Sequence, residues 1–258
     1  MKPLPYDKVK QLIPGNTIPA TRSKSSEFTL ETIADGWRIG GVLLYPGEYV
    51  TVDFADKLLE KGEMKRHDQW VAYTKSAQES GGFGVTSAPF YHSIFSTLYA
   101  HRNDVEYKDN IKQIQTFLQK VLRPRTLVTL SSVIYNPQGK DFIKHSAGIF
   151  SVNYGIKETI CGQDGYIKSI ESSANVCNAL LVDNNPGMIH AVYQWITERD
   201  TYLARLEQKP ELQEKRVISF GMDPDNNFTL YAIGDLQVAR PALGVRAVRS
   251  IRQESGSQ

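Results

Sequence analysis

Residues 28–54, FTLETIADGWRIGGVLLYPGEYVTVDF, hold three strand-like runs separated by the turn dipeptides Asp35-Gly36 and Pro46-Gly47. β-Branched and aromatic side chains in short runs, with glycine supplying the turn angles, mark a β-meander. Its expected strands are Phe28 to Ile33, Trp37 to Tyr45 and Glu48 to Phe54. Side chains alternate along a strand and paired residues face the same way. Pairing across Pro46-Gly47 therefore places Trp37, Ile39, Leu43 and Tyr45 on one face with Val50, Val52 and Phe54. That face is the expected core. The opposite face carries Arg38, Tyr49, Thr51 and Asp53.

Downstream the period changes. Tyr91, Ile94, Phe95, Leu98 and Tyr99 recur at helical spacing behind Thr86-Ser87-Ala88-Pro89, a hydroxyl cap followed by a proline where no intrahelical donor is needed. A second stripe, Tyr107, Ile111, Ile114, Leu118, Val121 and Leu122, predicts a longer helix ending at Arg123-Pro124. Leu127 to Tyr135 and Lys140 to His145 flank Asn136-Pro137-Gln138-Gly139, a hairpin turn in which Pro presets the first angle and Gly supplies the positive one. Ala174 to Val182 and a stretch from Pro186 to at least Arg199 are further helices. Val217 to Met222 and Phe228 to Ile233 form another hairpin, and Leu243 to Ile251 is an expected last strand. A helix and then a hairpin with an Asx-Pro turn thus occurs twice, but side-chain identity between the two units is poor, which argues against an internal duplication. The class is α+β, an antiparallel meander and hairpins with about five segregated helices, and no βαβ pattern points to a nucleotide crevice. Residues 1–253 are expected to form a single domain with a sub-boundary near 80–87, and 254–258 a flexible tail.

The 258 residues carry 30 Lys and Arg against 28 Asp and Glu, a net charge of +2. An excess that small gives no general attraction to nucleic acid or anionic lipid, and nucleic acid is not indicated as a partner. The beginning, Met1 to Asp7, has no apolar core of signal-peptide length, and the longest apolar stretch is far below the roughly 20 residues of a membrane span. With two cysteines, Cys161 and Cys177, and no metal-ligand spacing, a cytoplasmic protein with free thiols and no metal or cofactor is the expectation. Arg240, Arg246, Arg249 and Arg252 enrich the C-terminal region in positive charge. Arg246 and Arg249 alternate across a strand, so a salt-bridge network explains them better than a basic stripe.

Four places could carry chemistry. The loop Gly81-Gly82-Phe83-Gly84, continuing to Ser87 at a helix start, could bring backbone amides to an anion. It matches neither a Walker loop nor a dinucleotide fingerprint, and a connector is the simpler reading. Arg199 falls in the apolar stripe of a helix drawn from Met188 to Leu206. It faces a cleft as an anion clamp there, or else the helix breaks at Arg199-Asp200-Thr201 and a new one starts. His145 shares a strand face with Asp141 and, across the turn, Ser132. Four strand positions separate Asp141 from His145, roughly 13 Å, which excludes a direct triad. Cys161 is a candidate nucleophile if a neighbouring cation activates it. Asp223-x-Asp225-x-Asn227 opens like a calcium loop but lacks the loop's glycine and closing Glu, so a hairpin turn accounts for it.

No motif names a family. The expectation is a binding or scaffolding protein, as a homo-oligomer or with an unknown protein or small anionic ligand, using aromatic surface at Tyr91, Tyr99 and Trp195. The alternative is an enzyme for a phosphate- or carboxylate-bearing small molecule. It would bind through Gly81, Gly82, Gly84, Ser87 and Arg199, with His145 or Cys161 moving the proton or attacking.

Overall fold

The computed structural model describes residues 22–23, 27–45, 47–150, 153–168 and 170–248. The expected meander forms β2 (Thr29–Ile33), β3 (Gly36–Tyr45) and β4 (Glu48–Ala55). β1 (Arg22–Ser23) and β12 (Val245–Ala247) both add to the outer edge of β4, giving a five-stranded sheet. Register matches the expectation at Trp37 opposite Phe54 and Ile39 opposite Val52, and then shifts, with Val42 opposite Val50. One extra residue is accommodated at Gly40-Gly41, where Gly41 takes φ +72°, an angle that favours glycine. The bulge turns Val42 into the core and leaves Leu43 40% exposed, so Val42 takes the core place expected for Leu43.

The second sheet has seven strands in the order β7-β6-β5-β10-β11-β9-β8. They are β5 (Thr126–Tyr135), β6 (Asp141–Ser146), β7 (Asn153–Glu158), β8 (Tyr166–Ile167), β9 (Thr201–Ala204), β10 (Glu214–Met222) and β11 (Phe228–Gly234). Every neighbouring pair is antiparallel except β9 with β11. Both expected hairpins are here, side by side at the centre. The fold is α+β.

The helices are α1 (His67–Ser80), α2 (Ala88–Ala100), α3 (Lys108–Leu122), α4 (Ala174–Leu181) and α5 (Pro186–Thr197). Ser87 caps α2 by accepting from the Phe90 amide, and Asn185 caps α5 by accepting from the Met188 amide at 3.1 Å. Gly81, at φ +73°, ends α1. The helix expected to continue past Arg199 stops at Glu198, which takes φ +59°. The chain then enters the strand β9 and not a new helix, because the edge of β11 offers backbone partners. The Phe228 amide donates to Asp200 O at 3.0 Å, and the parallel ladder runs on from Thr201 to Ala204.

Helices cover the large sheet unequally. On one face Phe220 packs edge-on to Tyr91 and Phe95, and Phe228 stacks on Tyr193 at 4.4 Å, so α2 and α5 bury this side of β10 and β11. α1 lies across the opposite face, over β5 and its neighbours, where His67 feels the charges of Lys144 and Lys215. The rest of that face, from β10 to β8, carries no helix among the described residues. The C-terminal chain ties the sheets together: Pro241 O accepts from the Val128 amide, Ala242 O from Leu59, and Val245 pairs with Gly84. The expected sub-boundary near 80–87 is bound on both sides, with Val85 N donating to Thr74 Oγ1 and Thr86 Oγ1 to Ala147 O, both at 2.9 Å. Arg249, Arg252 and the tail lie outside the described residues.

Candidate functional site

Several amides of the glycine loop and of the helix start behind it are already engaged. Gly82 N donates to Ala77 O, Gly84 N to Val245 O, Val85 N to Thr74 and Ala88 N to Ser131 Oγ. Ser87 is buried beneath its own cap. Gly84 is required by packing, since a Cβ there would lie 2.8 Å from Thr74 Cγ2.

His145 is fully buried and has a complete set of partners. Its Nε2 donates to Ala179 O at 2.8 Å, which leaves Nδ1 to accept from the Ser131 hydroxyl at 2.9 Å. The register places Ser131, and not Ser132, opposite His145. Burial lowers the imidazole to about 4, so it is neutral near pH 7. With Ser131 equally buried, neither side chain is open to a substrate. Asp141 is distant from it, as expected, and serves a different loop, accepting from the Asn136 and Ile160 amides and from Lys209. Cys161 sits beside this carboxylate, and burial together with Asp141 raises its thiol above the ordinary value, opposite to what a nucleophile needs. Tyr91, an expected contact surface, is instead fully buried, and its hydroxyl donates to Leu243 O at 2.7 Å. Tyr99 and Trp195 are part-buried and pack edge to face.

The arginine expected to alternate in the C-terminal strand does enter an ion-pair network. Arg246 Nη2 lies 2.7 Å from Asp53 Oδ2 and 3.4 Å from Asp35 Oδ1, and Arg38 Nε lies 2.8 Å from Asp53 Oδ1. The guanidinium of Arg246 also stacks 4.4 Å from the Phe83 ring.

Arg199, the candidate anion clamp, lies beside the turn that borders an open cavity. It is exposed and points to the β10–β11 turn. With the Asn226 amide presenting its oxygen, Arg199 Nε and Nη2 are 3.2 and 2.9 Å away. That turn is the expected hairpin: Asp223 Oδ1 accepts from the Asn227 amide at 2.8 Å and Asp223 O from the Asn226 amide. Beneath it, on the part of the large-sheet face that α1 leaves uncovered, lies a cavity of about 560 Å³ lined by Arg123, Arg125, Ser219, Asp223, Tyr231, Arg240 and neighbours. Asp223 Oδ2 also accepts from Thr229 and from the Tyr166 hydroxyl, and Tyr166 packs edge-on to Tyr202 at 5.3 Å. Tyr231, Tyr166 and Tyr202 thus continue the cavity along β11, β8 and β9 as an aromatic surface.

Sequence reasoning singled out Asp223 and Arg240 but missed Ser219, Arg125 and the tyrosines. Ser219 was visible as the one polar residue within Val217-Ile218-Ser219-Phe220. The tyrosines are widely dispersed in sequence, and only sheet order, with β8 and β9 added beyond β11, brings them together. Among the described residues no group of three or more His, Cys, Asp and Glu could hold a metal, and no helix is long and apolar enough to cross a membrane.

No curated protein and no solved structure matches the chain. A family model does match, over residues 18–232, and its description is glycosyl hydrolase family 57. This overturns the expectation of a non-catalytic binding or scaffolding protein. The reason it was missed is physical: a glycosidase needs carboxylates brought together by the fold, and such residues leave no short spacing in sequence. By that match over most of its length, the chain belongs to glycosyl hydrolase family 57.

Proposed function

We propose that this protein hydrolyses glycosidic bonds, with the carbohydrate lying along the uncovered face of the large sheet and its reacting end at the Asp223 cavity. The observation that carries the reading is the family match over residues 18–232. The open face supplies suitable chemistry. The C–H face of a sugar ring stacks on aromatic rings, here Tyr166, Tyr202 and Tyr231, while its hydroxyls need charged and amide partners, here Asp223 and the arginines around it.

Glycoside hydrolysis ordinarily uses two carboxyl groups, about 5–5.5 Å apart with retention and about 6.5–9.5 Å apart with inversion. Asp223 takes the acceptor role, as nucleophile or base: both its oxygens receive hydrogen bonds that orient the carboxylate. The proton donor is drawn from Asp225, on the same turn, since Glu198 is taken up in an ion pair with the cavity residue Arg123 at 3.1 Å. The pair Asp35 and Asp53 is a poor alternative. Both contact Arg246 Nη2, at 3.4 and 2.7 Å, so that guanidinium fills the space between them, and Asp53 is 2% exposed.

Reducing-end release from a panel of α- and β-linked oligosaccharides tests the proposal. Hydrolysis by the native chain, reduced at least ~100-fold in Asp223→Asn with the fold intact, is expected. Full activity in Asp223→Asn would remove the open face from the mechanism.

A further inference from the structure

We infer that the cavity bounded by Arg125, Ser219 and Arg240 holds the oxyanion of an acidic sugar, a carboxylate, phosphate or sulfate carried on the carbohydrate. The inference rests on the glycosidase reading for the sugar, and on the cavity alone for the anion.

Three observations converge. Ser219 is fully buried, lines the cavity, and its hydroxyl has no hydrogen-bond partner. A buried hydroxyl left unsatisfied is costly, and a ligand oxygen would relieve it. Gly234 lines the cavity beside it, and a Cβ there would crowd both Val217 O, at 2.7 Å, and Ser219 Oγ, at 3.3 Å. Second, the charge is unbalanced. The lining holds three arginines and one carboxylate, Asp223. Arg123 is paired to Glu198, while no ion pair engages Arg125 or Arg240 among the described residues. Arg240 uses Nη1 on two backbone carbonyls, Asp235 O at 2.9 Å and Val238 O at 3.2 Å, which fixes its fork at the rim. Third, guanidinium forks present paired donors matched to carboxylate, phosphate and sulfate, and a neutral sugar has no use for that surplus. At about 560 Å³ the cavity is of ligand-binding size.

The test is isothermal titration of the full chain with D-glucuronate, D-glucose and inorganic sulfate at two salt concentrations, repeated on Arg125→Gln and Ser219→Ala. The expected result is binding of glucuronate and sulfate that weakens with salt, at least ~10-fold tighter than glucose. Arg125→Gln should weaken glucuronate about 10-fold and Ser219→Ala about 5-fold, with circular dichroism unchanged. Arg125→Lys, which keeps the charge but not the fork, should fall between native and Gln. Glucuronate binding no tighter than glucose, or undiminished in both variants, overturns the proposal. Anion binding without hydrolysis of any oligosaccharide leaves this site standing and removes the glycosidase reading. Hydrolysis confined to neutral substrates does the reverse.

Discussion

Two serines on neighbouring strands of one sheet have opposite surroundings. Ser131 on β5 faces the helices, accepts from the Ala88 amide and donates to His145, whose other nitrogen reaches α4. Ser219 on β10 faces the other side, beyond the reach of α1, and its hydroxyl bonds to nothing, above a cavity rimmed by arginines. Both are fully buried. A closed polar circuit marks scaffold, and an open one facing a cavity marks a place built for something else. A serine and histidine in contact are the more tempting motif, yet they belong to the scaffold.

The largest loss is expected where a satisfied charge on the scaffold is broken. Asp141→Ala leaves Lys209 and the Asn136 and Ile160 amides without their acceptor, and should lower unfolding free energy by about 3 kcal/mol in a urea titration. A change under about 1 kcal/mol would mean that this loop is not held by its carboxylate.

Next comes pH. Burial holds His145, and likewise His67, at about 4, below the ordinary 6.5. Between those values the unfolded chain binds protons that the folded chain refuses, so stability is full above pH 6.5 and falls as pH drops toward 4. His145 alone should remove about 3 kcal/mol by about pH 4. Urea midpoints near neutrality and about one to two pH units below the ordinary imidazole value check this, and His145→Gln should flatten the slope. Stability that rises on acidification would contradict the assignment of a neutral, buried ring.

How much of this was legible beforehand depends on how local each signal is. The meander, the Ser87 cap and the α3 stripe depend on neighbours in sequence, and they were readable. The Gly41 bulge was not: adjacent glycines permit either a flat strand or a bulge, and only the cross-strand partner Val50 decides. Arg199 shows the same limit, since a helix pattern ran on through residue 206 while the unpaired edge of β11 captured residues 201–204 as a strand. The open face depends on β8, β9 and β11 meeting from distant positions, and no spacing rule reaches that far.

The smaller effects sharpen the contrast between the serines. Ser131→Ala strands the Ala88 amide and removes a partner of His145, and should cost about 1–2 kcal/mol by denaturant titration. Ser219→Ala removes a hydroxyl with no partner, so stability should stay within about 0.5 kcal/mol or rise. Equal losses at the two positions would break the distinction between scaffold and site.

The most direct test is product analysis by mass spectrometry after incubating native protein and Asp223→Asn with oligosaccharides that contain uronic acid units and with their neutral counterparts. The expected outcome is cleavage by the native chain, faster for the acidic substrates, and its loss in the variant. Intact oligosaccharides with native protein, or equal cleavage by both proteins, would contradict the placement of a glycosidase site on the open face.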